Sequence, residues 1–278
     1  MSKLFSASLL RLRKSPLFWG TLALSFCFGA FLCAVRFRER LDYGIEASLD
    51  SVFFGWAVLI GAVMSCFIPL FSGTEYSDGT VRNKLTVGCT RTSVYLASLS
   101  AALTAALLFS AAYMLACAVV GVPLLGWMAA APRLILARLL VSLALTAAYC
   151  ALFTGIAMLC SRKAACAVLS MLLLLLMFLA AVAVAGRLAA PQMSPFYTLS
   201  SSGTLEEHME PNPRYLQPEQ RAVYELLLDL LPAGQSIQMQ SNSLVPLERP
   251  ARMAACSLGL LALSSAAGAA LFRRKDLK

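Results

Sequence analysis

The chain has 278 residues, 59% of them hydrophobic and 13% charged, with a mean hydropathy of +0.75 and a formal net charge of +9. Soluble globular domains are about 45–50% apolar and about 25% charged, so that class is excluded. The basic excess does not point to nucleic acid either, because the lysines and arginines gather at the ends of long apolar runs, where they set orientation in a bilayer.

In chain order, residues 1–15 read as an interfacial amphipathic segment. Leu4, Phe5, Leu9 and Leu12 share one side, and Lys3, Arg11, Arg13 and Lys14 can reach headgroups. The apolar run 17–35 is too long for the core of a signal peptide and lacks a small-x-small cleavage pattern, so it is the first expected span. Residues 36–51 are polar and mixed in sign, with Arg36, Arg38 and Arg40 interleaved with Glu39 and Asp42. Five further spans are expected over 52–72, 94–120, 134–160, 164–186 and 251–272. Each is long enough, at about 1.5 Å per residue, to cross a hydrocarbon core of roughly 30 Å. Pro123 and Pro132 bracket a tight link between the third and fourth spans.

The polar stretch 74–95, TEYSDGTVRNKLTVGCTRTSVY, stands between two of these runs and carries Glu75, Asp78, Arg82, Lys84 and Arg91. Ser77-Asp78-Gly79 reads as a turn, and Thr80 can cap a short helix that exposes Arg82 and Lys84. Such a helix, held just outside a membrane by two spans, is a surface on which another protein can push. A solvated linker between two spans fits the composition equally well.

Orientation follows from the basic residues. With the N-terminus inside, thirteen fall in cytoplasmic segments (Lys3, Arg11, Arg13, Lys14, Arg82, Lys84, Arg91, Arg162, Lys163, Arg273, Arg274, Lys275, Lys278). Five fall in short outer loops (Arg36, Arg38, Arg40, Arg133, Arg138). The expected fold is therefore an all-α integral membrane protein with six transmembrane helices, both termini inside, and an extracellular segment between helices five and six. The organisation is 1–15, interfacial; 16–186, helices one to five with a cytoplasmic loop at 73–93; 187–250, extracellular; and 251–278, helix six with a basic tail. Within the outer segment, 218–231 predicts a helix closed by Pro232 and Gly234. Arg221 and Glu225 are paired at i, i+4, and Val223, Leu227, Leu230 and Leu231 form an apolar stripe. The segment either lies on the membrane surface or folds as a lid.

Much chemistry is missing. There is no GxxxxGK[ST] phosphate loop, no HExxH and no GxSxG with a supporting histidine, since His208 is the only histidine. A metal at Glu206, Glu207, His208 and Glu210 is disfavoured, one histidine among loop carboxylates being an ordinary charged patch. The nine cysteines include no CxxC pair and lie mostly inside apolar runs, where they pack as small apolar residues. Spans two, three, five and six lack charged residues in their interiors, and Arg138 lies near the outer end of span four, from which it can snorkel. Ion-coupled carriers and intramembrane enzymes need buried ionisable groups, so both are disfavoured. Ser264 and Gly268 give small-xxx-small spacing in span six, for packing within the bundle or against a second copy.

Four stretches carry a family resemblance: the basic amphipathic N-terminus, GTEYSDGTVRNKL after span two, NPRYLQPEQRAVYELLLDLLPAGQSIQ before span six, and the terminal LFRRKDLK. Together they resemble the membrane (permease) subunits of bacterial type-2 ABC exporters over almost the whole chain. The resemblance implies a multi-pass protein of the cell membrane that is not itself an enzyme and holds no cofactor. ATP and Mg would be bound by a separate ATPase subunit, and the second bundle would be another permease copy or a paralogue. It also implies that Glu75, Tyr76, Gly79, Thr80 and Arg82 belong to the coupling element seated on that ATPase. The alternative is a membrane sensor or assembly protein that binds a ligand outside and a soluble partner inside without transport.

Overall fold

A computed structural model describes residues 2–44, 48–160, 162–199, 205–240 and 247–275. It is dominated by six helices long and apolar enough to cross a membrane: Pro16–Tyr43, Asp50–Tyr76, Arg91–Leu125, Pro132–Leu159, Lys163–Leu188 and Pro250–Arg274. In chain order the elements are α1 (Ser2–Lys14), α2 (Pro16–Tyr43), α3 (Asp50–Phe53), α4 (Trp56–Ser77), α5 (Thr80–Thr86) and α6 (Arg91–Ala116). A π turn, Cys117–Gly121, leads into α7 (Val122–Leu125), followed by α8 (Pro132–Leu159) and α9 (Lys163–Leu188). After a hairpin of β1 (Met193–Leu199) and β2 (Leu205–Pro211) come α10 (Pro218–Leu230), α11 (Pro232–Gln240) and α12 (Pro250–Arg274).

The central helix is α8. Alanines, serines and threonines along it let α4, α6 and α12 approach closely, and Tyr149 and Phe153 fill the remaining space. By contrast α2, α9 and α12 leave most of their apolar side chains exposed, as lipid-facing helices do. The small-residue stripe of α12 serves this packing. A Cβ at Gly268 would lie 2.5 Å from the Tyr95 hydroxyl, so only glycine admits that ring of α6 against α12. α1 lies against α6 and α2, with Leu12 buried and Phe5 exposed.

Several boundaries depart from the sequence reading. The helix expected to end at 72 continues as α4 through Ser77, its ladder extended by Asp78 N–H to the Thr74 carbonyl (3.0 Å). Thr74, Glu75 and Tyr76 therefore lie on its last turn rather than in a loop. Pro123 does not begin a link. The π turn, in which Val122 N–H reaches back to the Cys117 carbonyl, resets the ladder and admits the proline ring. The helical path runs on to Leu125, and Gly126 breaks it with a φ of 84°.

The segment 187–250 is not purely helical, as an all-α reading expects. β1 and β2 pair antiparallel from Met193 opposite Pro211 to Leu199 opposite Leu205. Pro232 and Gly234 do not simply close a helix, because Pro232 is the first residue of α11, which is buried along Ala233, Gly234, Gln235, Ser236 and Met239. Of the apolar stripe, Leu231 just past the end of α10 is half-buried, and Val223, Leu227 and Leu230 face outward. All three are exposed, while Leu228 and Asp229 are buried. Arg138 does not snorkel. It is 2% exposed beneath α11, where it donates to the Met239 carbonyl (2.7 Å) and its guanidinium lies 5.6 Å from the Phe54 ring centre. Covering by α11 removes the route to water that snorkelling requires.

Candidate functional site

The ends of α4, α8 and α12, the starts of α6 and α9, and the whole of α1 and α5 converge at one end of the bundle, here the termini end. Glu75 is its hub. On the last turn of α4 and only 4% exposed, its Oε1 meets the Arg11 guanidinium from α1 and the Lys84 ammonium from α5 (2.8 Å). Oε2 is buried with no hydrogen-bond partner among the described residues, so the carboxylate depends on these two cations. Arg11 also donates to the Phe71 carbonyl and the Thr74 hydroxyl, and its guanidinium stacks 4.4 Å from the Phe71 ring centre. Arg11 is thus turned inward, not toward headgroups. A planar fork with several donors can hold one carboxylate, one carbonyl, one hydroxyl and one aromatic face at once, which an ammonium cannot.

Gly79 makes the reversal between α4 and α5. Its φ of 67° is left-handed, open to glycine at little cost and expensive for a β-branched residue. Gly79 is the N-cap of α5, and Thr80 is its first residue rather than its cap. The Thr80 hydroxyl instead donates to the Glu75 carbonyl (2.9 Å), bracing the turn from inside. Val81 is buried, and Arg82, Asn83, Thr86 and Val87 are exposed, with Val87 84% accessible. Arg82 makes no ion pair among the described residues.

Tyr76 ties α4 to α8, its hydroxyl donating to the Met158 carbonyl (2.5 Å). The same carbonyl accepts from Lys275 Nζ (3.2 Å), which also lies 4.3 Å from the Tyr76 ring centre. Burial pulls the Lys275 ammonium below the usual lysine range. Arg91, at the start of α6, donates to the carbonyls of Phe272 (3.2 Å), Arg273 (3.3 Å) and Lys275, tying it to the last turn of α12. Arg13, Lys14, Arg82, Arg162, Arg273 and Arg274 are exposed around this frame and give the end a basic rim.

The five residues expected from the sequence thus divide. Glu75, Tyr76, Gly79 and Thr80 build the mount of α5, and Arg82 alone offers its side chain to solvent. Sequence reasoning missed Arg11 and Lys84 as the partners of Glu75. Lys84 could have been found, since a turn of known length folds it back nine residues onto the preceding helix. Arg11 is brought in by tertiary packing of α1, for which the local sequence holds no signal.

A second polar cluster occupies the opposite end. Asp229 on α10 is fully buried and accepts from Arg249 (3.2 Å), Arg252 (2.6 Å) and Gln238 (3.0 Å). Glu225 holds Arg249 (2.8 Å) and Arg221 (3.4 Å). Gln235 on α11 donates to the carbonyls of Asp229 (2.6 Å) and Met253 (2.9 Å) and accepts from Ser257 (2.8 Å). Ser236 donates to the Ala57 carbonyl of α4 (2.8 Å), facing Tyr149 at 3.3 Å. The spacing Glu225/Asp229 (i, i+4), on one face of α10, and the pair Arg249 and Arg252 at the N-cap and first turn of α12 could have marked the pairing. Glu206, Glu207 and His208 lie on β2, and their side chains are outside the described residues. A comparison with protein-family models matches none of them, and no characterised protein matches the sequence significantly.

Proposed function

We propose that the chain is the transmembrane subunit of an ATP-driven ABC exporter of the type-2 class, with both termini in the cytoplasm of a bacterial cell and the hairpin and α10–α11 outside. A separate ATPase subunit docks on α5 and the basic rim, binds ATP and Mg, and drives a pair of such bundles. The observation that carries this reading is the mount of α5: a short helix locked by Lys84–Glu75–Arg11 to α4 and α1, with its other face left bare. A linker needs no such fixation. A surface that must transmit force does, because a displacement of α5 then moves α4 rather than being absorbed by the loop.

α4 supplies the path. Between Glu75 and Ala57 it rises about 27 Å as one helix, with Pro69 removing a single ladder hydrogen bond on the way, and at Ala57 it holds Ser236 of α11. A push on α5 would thereby reach the cover at the far end. Beside this rod, α2, α4 and α9 line an open apolar cavity of about 530 Å³, walled by Phe28, Leu32, Val58, Met171 and Phe178. Facing its counterpart in a second copy or paralogue, it would form one wall of an apolar translocation path.

Purification of the tagged full chain in mild detergent, with mass spectrometry of what accompanies it, tests the reading. The expected result is a soluble subunit bearing a phosphate loop, with recovery reduced by Arg82→Ala, a change that breaks no side-chain hydrogen bond or ion pair among the described residues. Recovery of intact, inserted chain without any ATPase would replace the exporter by the sensor reading.

A further inference from the structure

The far end carries a second pocket, of about 410 Å³, lined by Arg187, Tyr215, Leu216, Gln220, Val223 and Tyr224. Its size falls in the range of small-ligand sites, about 300–1,000 Å³. Arg187 ends the fifth span on the last turn of α9, is exposed, and has no side-chain partner among the described residues. Of the carboxylates on α10, Glu225 is already held by Arg249 and Arg221, and Glu219 is exposed and does not line the pocket. Among the described residues no acidic side chain lines the pocket, and the one formal charge there is positive.

The apolar surroundings give the site a direction. Leu172, Leu176, Leu179 and Ala183 fall on the same face of α9 as Arg187, spaced by three or four residues, and all are exposed. From Leu176 to Arg187 the helix rises about 16 Å, close to half of a hydrocarbon core of roughly 30 Å. On α10, Val223, Leu226, Leu227 and Leu230 are between 42% and 56% exposed beside the same pocket, a surface costly to leave in water. Two exposed apolar tracks thus meet at a cationic, tyrosine-lined hollow at the level where a span ends.

We propose that this pocket binds the phosphodiester headgroup of an anionic phospholipid, with one acyl chain along the Leu172–Leu179 face of α9. Arginine pairs with phosphate oxygens through two parallel N–H donors, and tyrosine hydroxyls and the Gln220 amide add neutral donors. Tyrosine favours this depth, where its ring is in hydrocarbon and its hydroxyl among headgroups. A zwitterionic choline lipid would find the arginine but no carboxylate for its ammonium, so the site selects net negative charge. The bound lipid would fill the space under α10 and brace it against α9. This inference rests on the six spans and the pocket, and holds whether or not an ATPase couples to the other end.

Native mass spectrometry of the full chain in mild detergent, titrated with phosphatidylglycerol or phosphatidylcholine, tests it. One phosphatidylglycerol should remain bound per chain in preference to phosphatidylcholine. Arg187→Gln should weaken retention about tenfold, the scale of one lost charge-assisted contact. Gln220→Trp, which fills the hollow and keeps the charge, should do the same, and Arg133→Gln, an exposed cation at the same end outside the pocket, should change nothing. Equal retention of the two lipids, or equal losses in Arg187→Gln and Arg133→Gln, would overturn the site. Displacement of phosphatidylglycerol by millimolar inorganic phosphate would show an anion site without an acyl track, and would overturn the lipid assignment.

Discussion

Glu75→Ala is expected to lower the thermal midpoint of the purified chain by roughly 10 °C, following from the loss of about 3–5 kcal/mol when a buried ion pair loses one partner. The change leaves two cations, Arg11 and Lys84, against one another with no carboxylate between them. Glu75→Gln should be nearly as damaging, because the side-chain volume is kept and only the charge is lost. Arg11→Lys should cost more than Lys84→Arg. Arg11 serves Phe71, Thr74 and Glu75 together, whereas Lys84 makes one contact that a guanidinium can also make. Because the three residues share one oxygen, their effects should not add, and Glu75→Ala with Lys84→Ala should be less destabilising than the sum of the two. On the proposed exporter reading, Glu75→Ala also uncouples ATP hydrolysis from transport. Thermal midpoints of the single and double variants measured in one detergent check the structural part, and an unchanged midpoint for Glu75→Ala would remove the hub.

Asp229→Ala has an effect of the same order at the other end. The carboxylate is fully buried and holds two guanidiniums and an amide. Arg249 keeps Glu225 when Asp229 is removed, but Arg252 loses its only ion-pair partner among the described residues. Removing one partner of a buried pair costs about 3–5 kcal/mol, and here water offsets part of that because the stranded Arg252 side chain is 36% exposed. The loss should be local as well as global: Gln238 of α11 loses its carboxylate acceptor, while Gln235 keeps the main-chain carbonyl of residue 229, so the α11 amides around Gln238 should exchange with solvent well before those of α8. Hydrogen exchange read by mass spectrometry distinguishes this from uniform loosening. Addition of Arg252→Ala should restore part of the lost stability, since it removes the stranded cation. Protection of 232–240 that stays at the wild-type level in Asp229→Ala would contradict the clamp.

The spans were the legible part of this chain. Each is a run of apolar residues of membrane-crossing length, a property that survives any detail of packing; five of the six appear within about five residues of where hydropathy places them, while the first helix runs eight residues past Val35, through Arg36, Arg38 and Arg40, to Tyr43. Ends were less legible. α4 overruns its apolar segment because its last polar turn is held by tertiary partners, Arg11 and Lys84, which lie 64 and nine residues away. The third span runs past Val120 because a π turn accommodates Pro123, and no composition rule announces one. The segment 187–250 was the least legible. The stripe of α10 obeys helical period, but period alone does not say which face is covered, and here the buried face carries Asp229. Arg138 misled for a related reason: its depth in the span was read correctly, and the helix that covers it, α11, was hidden behind a proline taken as a terminator.

At the candidate site, the residue types were legible and their roles were not. The glycine turn and the basic residues of the short helix are legible from the sequence pattern, whereas Glu75 and Tyr76 are singled out only by the family resemblance. Only the fold separates the four that fix α5 from Arg82, which remains exposed.

The most direct test of the proposed function is a photo-crosslinking amino acid placed at Val87, which is 84% exposed beside α5, and in a second variant at Trp127, 78% exposed at the opposite end. Irradiation of cells expressing each variant, followed by purification and mass spectrometry, should join the chain at position 87 to a soluble subunit with a phosphate loop. Position 127 should give no such product. A product from position 127, or none from position 87 while the chain is inserted and folded, would contradict the assignment of α5 as the surface on which an ATPase acts.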